Sequence, residues 1–268
     1  MATTTTLARP ARTSHRALIW LAALFGLALV LGGAWQLADL AARHTTVVRN
    51  AYAGVRAVSI SADSGDIQLT SAPAGARLTV EEHVTRGLAA PRRQNGLVAG
   101  RLRLRSECRS WFASQCEVRY VVAVPRGTSV VADSGSGDVN AASITSRAPM
   151  HLSTGSGEVR VRGVSTPELR LDSGSGGIGG TAVHVRVLRA RTGSGSIGLE
   201  LRDPPRELLA DTGSGDVALT LPDRPYALTT STGSGHIIDD GVHQDTRSPR
   251  RVVARSGSGD LVLDIARG

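Results

Sequence analysis

The tripeptide Gly-Ser-Gly occurs seven times, with first glycines at Gly135, Gly155, Gly174, Gly193, Gly213, Gly233 and Gly257. The spacings are 20, 19, 19, 20, 20 and 24 residues. Asp63-Ser64-Gly65-Asp66-Ile67 is a degenerate eighth copy. No other feature restricts the fold as much as this period. One supersecondary unit must repeat and bury its apolar face against its own copies.

The columns around the tripeptide define that unit. The residue just before it is always a hydroxyl: Ser134, Thr154, Ser173, Thr192, Thr212, Thr232 and Ser256. Five positions before the first glycine stand Val130, Met150, Leu169, Leu188, Leu208, Leu228 and Val252, all apolar. Ala132, Leu152, Leu171, Ala190, Ala210, Thr230 and Ala254 lie between these two columns, which gives the period-two alternation of a half-buried strand. After the tripeptide, Val139, Val159, Ile178, Ile197, Val217, Ile237 and Leu261 open a second short strand. Links rich in turn residues follow, such as Asp203-Pro204-Pro205.

Identical columns predict copies stacked in register, with strands about 4.8 Å apart. The expected fold is all-β: a single-stranded, right-handed parallel β-solenoid of about 20 residues per turn, its hand taken from the crossover rule. The alternative is an antiparallel β-sandwich of hairpins with Ser-Gly turns. Repeat turns are assigned to 131–268. Residues 51–130 are assigned to an irregular N-terminal β part with a cap over the solenoid end. The final strand before Gly268 is expected to leave an uncovered edge open to self-association, unless the long link 239–251 folds over it.

Upstream, residues 17–38 carry no charge and are long enough to span a bilayer of about 30 Å. Trp20 and Trp35 lie near the two ends of this run. Arg9, Arg12 and Arg16 precede it, which predicts a cytoplasmic tail over 1–16 and an extracytoplasmic bulk after a linker at 39–50. The competing reading is a signal peptide cleaved near Gly32-Gly33-Ala34, with secretion of the rest.

The pairing of Tyr120-Val-Val-Ala-Val-Pro125-Arg-Gly127 with repeated Ser/Thr-Gly-Ser-Gly-Asp-Val resembles the bacterial "putative adhesin" β-strand-repeat family. The resemblance covers roughly residues 50–265. It implies an envelope-anchored β-solenoid of unassigned function with no known active site. The chain departs from the Gly-Asp step at Gly177, Ser196 and His236, which weakens any shared ligand role for that acid.

Candidate chemistry is sparse. The acid column Asp138, Glu158, Gly177, Ser196, Asp216, His236 and Asp260 loses its carboxylate three times, a poor ladder for calcium with its six to eight oxygen ligands. Asp239, Asp240, His243 and Asp245 match no metal signature and read as a solvated loop. His151, His184 and His236 fall in different columns, and Gly-x-Ser-x-Gly is absent at the repeats. No catalytic residue, metal or cofactor is assigned. Aromatics at 3% also argue against nucleic-acid stacking platforms.

Two contact candidates remain. Cys108 and Cys116 bracket Trp111 and Phe112, and outside the membrane these thiols are expected to form a disulfide. The stapled aromatics either anchor a partner or cover the cap. All basic residues are Arg, and the formal net charge is +8. Arg160, Arg162, Arg189 and Arg191 recur over successive repeats and suit anionic cell-wall polymers, which guanidinium binds bidentately; a merely solubilising surface is the other reading. Three functions follow: a non-enzymatic, membrane-anchored binding or scaffolding module of the cell envelope, an accessory to an envelope-stress signalling protein, or a carbohydrate-active enzyme.

Overall fold

The computed structural model describes residues 15–108 and 116–266. Helix α1 (His15–Ala41) is followed by β1 (His44–Tyr52), β2 (Ala57–Ala62), β3 (Ile67–Ser71), β4 (Leu78–Arg86), β5 (Arg92–Val98), β6 (Arg101–Glu107) and β7 (Cys116–Val124). The repeats supply β8 (Ser129–Ser134), β9 (Val139–Ala142), β10 (Met150–Thr154), β11 (Val159–Arg162), β12 (Ser165–Ser173), β13 (Ile178–Thr192) and β14 (Ile197–Leu201). They continue with β15 (Glu207–Thr212), β16 (Val217–Leu221), β17 (Ala227–Thr232), β18 (Ile237–Asp240), β19 (Arg251–Ser256) and β20 (Leu261–Ile265).

Each Gly-Ser-Gly carries the chain from one sheet into a second. Like strands pair parallel and in register: Leu152 lies beside Ala132 and Leu171, and Val159 beside Val139 and Ile178. The tripeptides are therefore solenoid corners and not hairpin turns, so the sandwich alternative falls. Alternate residues point inward, and one continuous core runs from Val58 to Leu263. Residues 51–130 and 131–268 share that core.

The hydroxyl column has a clear physical role. Thr192 Oγ1 accepts from Gly195 N of its own corner at 3.2 Å and donates to Gly176 O of the preceding turn at 2.8 Å. Thr154 and Ser173 repeat the pattern with Gly137 O and Gly157 O. All seven hydroxyls tie their corner to a neighbouring turn, and those of Ser134, Thr154, Ser173 and Thr192 also close their own, satisfying backbone groups that the turn would otherwise bury unpaired. The glycines are set by crowding. A Cβ on Gly157 would lie 2.2 Å from Gly137 O, and one on Gly176 1.8 Å from Gly157 O. Asp63 takes the first glycine's place in the degenerate copy, where the neighbouring turn carries the Cys108–Cys116 loop; Asp63 Oδ2 accepts from Cys108 N at 3.2 Å.

The turns do not stack in chain order. In the sheet before the corners the order is β5, β6, β2, β8, β10, β12, β13, β15, β19, β17. In the other it is β1, β4, β7, β3, β9, β11, β13, β14, β16, β20, β18. The last repeat, β19–β20, is inserted between its two predecessors. The open edge is therefore β17–β18, and the expectation that the final strand forms it is corrected. Any copy fits any neighbour because the columns are the same. The link 241–250 makes an isolated bridge, Tyr226 to Gln244, at one end of that edge and buries Val242 against the core.

At the other end β4 pairs antiparallel with β7 in one sheet and β5 antiparallel with β6 in the other, and β1 pairs with β4. Glu82 of β4 is fully buried there, held by Arg93 at 2.9 Å and Asn95 at 2.5 Å. Tyr120 Oη and Ser106 Oγ are buried nearby, beside one another in the same cap. Burial pushes the Tyr120 phenol up to about 12.

Helix α1 exposes apolar side chains all round, among them Leu24, Phe25 and Leu31, and Ile19–Ala41 is long and apolar enough to cross a membrane. Residues 39–50 do not form a free linker: the helix runs to Ala41 and β1 begins at His44. Pairing of β1 with β4 draws this stretch into the sheet.

Candidate functional site

The outer face of the second sheet carries a groove of about 380 Å³ across β3, β9, β11, β13 and β14. Register builds it. Gln68, Asn140, Arg160, Gly179 and Gly198 lie side by side on successive strands. Thr70, Ala142, Arg162 and Thr181 form a second row. Gly179 and Gly198 make the floor. Nothing lies within 4 Å of a Cβ built on Gly198, and only Arg160 Cγ approaches one on Gly179 at 3.9 Å. These two glycines are thus not required by packing, unlike those of the corners. Their sequence signal was legible, since glycine interrupts a column that elsewhere carries Asn140, Arg160, Ala218 and Val262.

The polar lining is only partly spent. Arg160 bonds Asp138 at 3.2 Å and also Glu158. Arg162, Gln68, Asn140, Thr70 and Thr181 make no side-chain hydrogen bond or ion pair among the described residues. Such a surface offers amide and hydroxyl donors and acceptors, one uncommitted guanidinium and a flat peptide floor. That set suits a polar chain bearing anionic groups.

The four predicted Arg contacts do not share a face. Arg160 and Arg162 lie on β11 in the second sheet, and Arg189 and Arg191 on β13 in the first. Arg189 bridges Glu168 at 2.8 Å and Glu207 at 2.9 Å, so its charge is spent within the protein. Arg191 is exposed and makes no ion pair among the described residues. Cys108 and Cys116 are joined, with Cα atoms 5.9 Å apart, at the corner of the β6–β7 turn. Trp111 and Phe112 lie outside the described residues.

The histidines pair with acids on neighbouring turns. His151 meets Asp172 at 3.0 Å, His184 meets Asp203 at 3.0 Å, and His236 meets Asp260 at 3.4 Å. The His236 backbone N–H, more than its ring, holds the Asp260 carboxyl below the usual carboxylate range. Asp239 accepts from Val242 N and Gln244 Nε2, which ties down its loop. No group of three or more His, Cys, Asp or Glu among the described residues is arranged to hold a metal ion.

Residues 42–268 match the family described as Toastrack DUF4097. The chain belongs to this family. A "putative adhesin" from Parabacteroides distasonis is similar at 13% identity and a TM-score of 0.44, covering 82% of this chain and 97% of that one. A "putative adhesin" from Bacteroides fragilis is similar at 12% identity and a TM-score of 0.44, covering 82% and 97%. A "putative cell adhesion protein" from Clostridium sporogenes has 10% identity and a TM-score of 0.39, covering 84% and 100%. No curated protein matches the chain. As a Toastrack protein it carries its repeats in a β-solenoid behind one apolar N-terminal helix.

Proposed function

We propose that this Toastrack protein is a non-enzymatic, membrane-anchored module that holds an anionic polymer of the cell envelope in the groove over Gly179 and Gly198. The N-terminus lies in the cytoplasm and the solenoid outside. The groove carries this reading, because it combines an open glycine floor with uncommitted amides and the free Arg162 guanidinium. A hydrogen bond to a charged group contributes about 1.5–3 kcal/mol, so losing Arg162 weakens binding about tenfold or more.

The test is co-sedimentation of the detergent-solubilised full chain with isolated cell-wall polymer over a salt series. Saturable binding that falls with salt is expected. Arg162→Ala weakens it, and Gly198→Trp fills the floor and abolishes it without touching the core. Absence of binding at any salt, or unchanged binding by both variants, refutes the proposal.

A further inference from the structure

The cap end of the solenoid concentrates features that the groove does not use. Of the exposed large apolar residues outside α1, Val47, Leu88, Leu97 and Val98 lie at this end. Leu88 is in the β4–β5 loop, and Leu97 and Val98 end β5. Every residue of β5 is exposed, and it is the last strand of its sheet. Arg92 of β5 and Arg101 and Arg103 of β6 are exposed and make no ion pair among the described residues. Apolar tips set among free guanidiniums match the layered chemistry of a headgroup region.

The position of the helix says what covers this end. Strand β1 is the last strand of the second sheet, as β5 is of the first, and both close the same end. Only residues 42 and 43 separate α1 from β1. Asp39, in the last turn of the helix, is fully buried and accepts a hydrogen bond from Leu88 N at 2.7 Å. The β4–β5 loop therefore sits at the level where the apolar helix stops, which is the bilayer surface if the helix spans.

We infer that the cap end, formed by β5, the β4–β5 loop and the β5–β6 turn, is a bilayer-contact face that seats the solenoid on anionic lipid. Leu88, Leu97 and Val98 enter the headgroup layer, and Arg92, Arg101 and Arg103 meet the phosphates. This rests on the anchor reading above and is independent of the groove. Each Arg at an anionic surface adds about a fivefold preference for it.

The test reconstitutes the full chain in phosphatidylcholine vesicles with and without phosphatidylglycerol. Spin labels are placed through Val98→Cys and, for comparison, Ser194→Cys at a distant exposed corner. Collision with a water-soluble relaxation agent is then measured. The expected result is strong protection of the Val98 label only, greatest with phosphatidylglycerol and lost when Arg101→Glu and Arg103→Glu are added. A Val98 label as accessible as the Ser194 label, in protein that floats with the vesicles, overturns the contact face while leaving the anchor intact. Release of the chain by an alkaline wash overturns the anchor and the contact face together.

Discussion

Replacing Gly176 by alanine separates a crowded corner from a merely flexible one. The new Cβ would lie 1.8 Å from Gly157 O, where contacts under 3.0 Å are essentially never seen. The neighbouring turns must therefore part locally by more than 1 Å. The bonds at risk are Gly176 N to Ser173 Oγ at 2.9 Å, Ser173 Oγ to Gly157 O at 3.0 Å and Thr192 Oγ1 to Gly176 O at 2.8 Å. Weakening two or three of these at about 1 kcal/mol each, with overpacking strain of about 1–3 kcal/mol, costs roughly 3–6 kcal/mol. At about 2–4 °C per kcal/mol for a domain of this size, Tm falls by roughly 10 °C. Gly198→Ala is the control. It meets no atom within 4 Å, so its effect stays within about 0.5 kcal/mol. Thermal unfolding of both variants by circular dichroism decides the matter. Equal Tm values for the two would refute the claim that backbone crowding, and not chain flexibility, requires the corner glycines.

Further outcomes follow from the same geometry. Thr192→Val leaves Gly195 N and Gly176 O without their hydroxyl and lowers stability by about 2–3 kcal/mol in denaturant unfolding, whereas Thr192→Ser restores most of it. Cys108→Ser with Cys116→Ser removes a short-loop cross-link and lowers stability by about 2.5 kcal/mol in the same measurement, with little change in far-ultraviolet circular dichroism. The Asp260 carboxyl titrates below the ordinary aspartate range in carbon-detected NMR, and His236→Ala leaves it still lowered because the backbone N–H is the largest single cause. Since its folded pKa is depressed, its contribution to stability is present above the unfolded pKa and disappears as pH falls through the folded value.

Much of the architecture was legible in single residues. Val130, Ala132 and Ser134 already define one strand with its inward face, and Val139 opens the next. The constancy of the hydroxyl column marked a buried backbone partner, which proved to be the second glycine of the neighbouring turn. Glu82 stood in the apolar column Leu78, Val80, Val84, a sign of the polar cap cluster that went unread. Gly179 and Gly198 interrupt the column of Asn140, Arg160, Ala218 and Val262, but that they floor a groove depends on the strands stacked beside them.

The local period, the alternation and the corners are properties of 20 consecutive residues, and the sequence alone determined them. Stacking order is not such a property. Repeats with matching columns are interchangeable as neighbours, so nothing within a repeat places β19–β20 between β15–β16 and β17–β18. Which outer face each Arg joins was likewise decided by the path of the chain through the corners. Arg162 and Arg189 look alike in sequence, yet one stands uncommitted in an open groove and the other is consumed between Glu168 and Glu207. Only the tertiary structure distinguishes them, because a charge is free or spent according to its neighbours across strands, which are about 20 residues away along the chain.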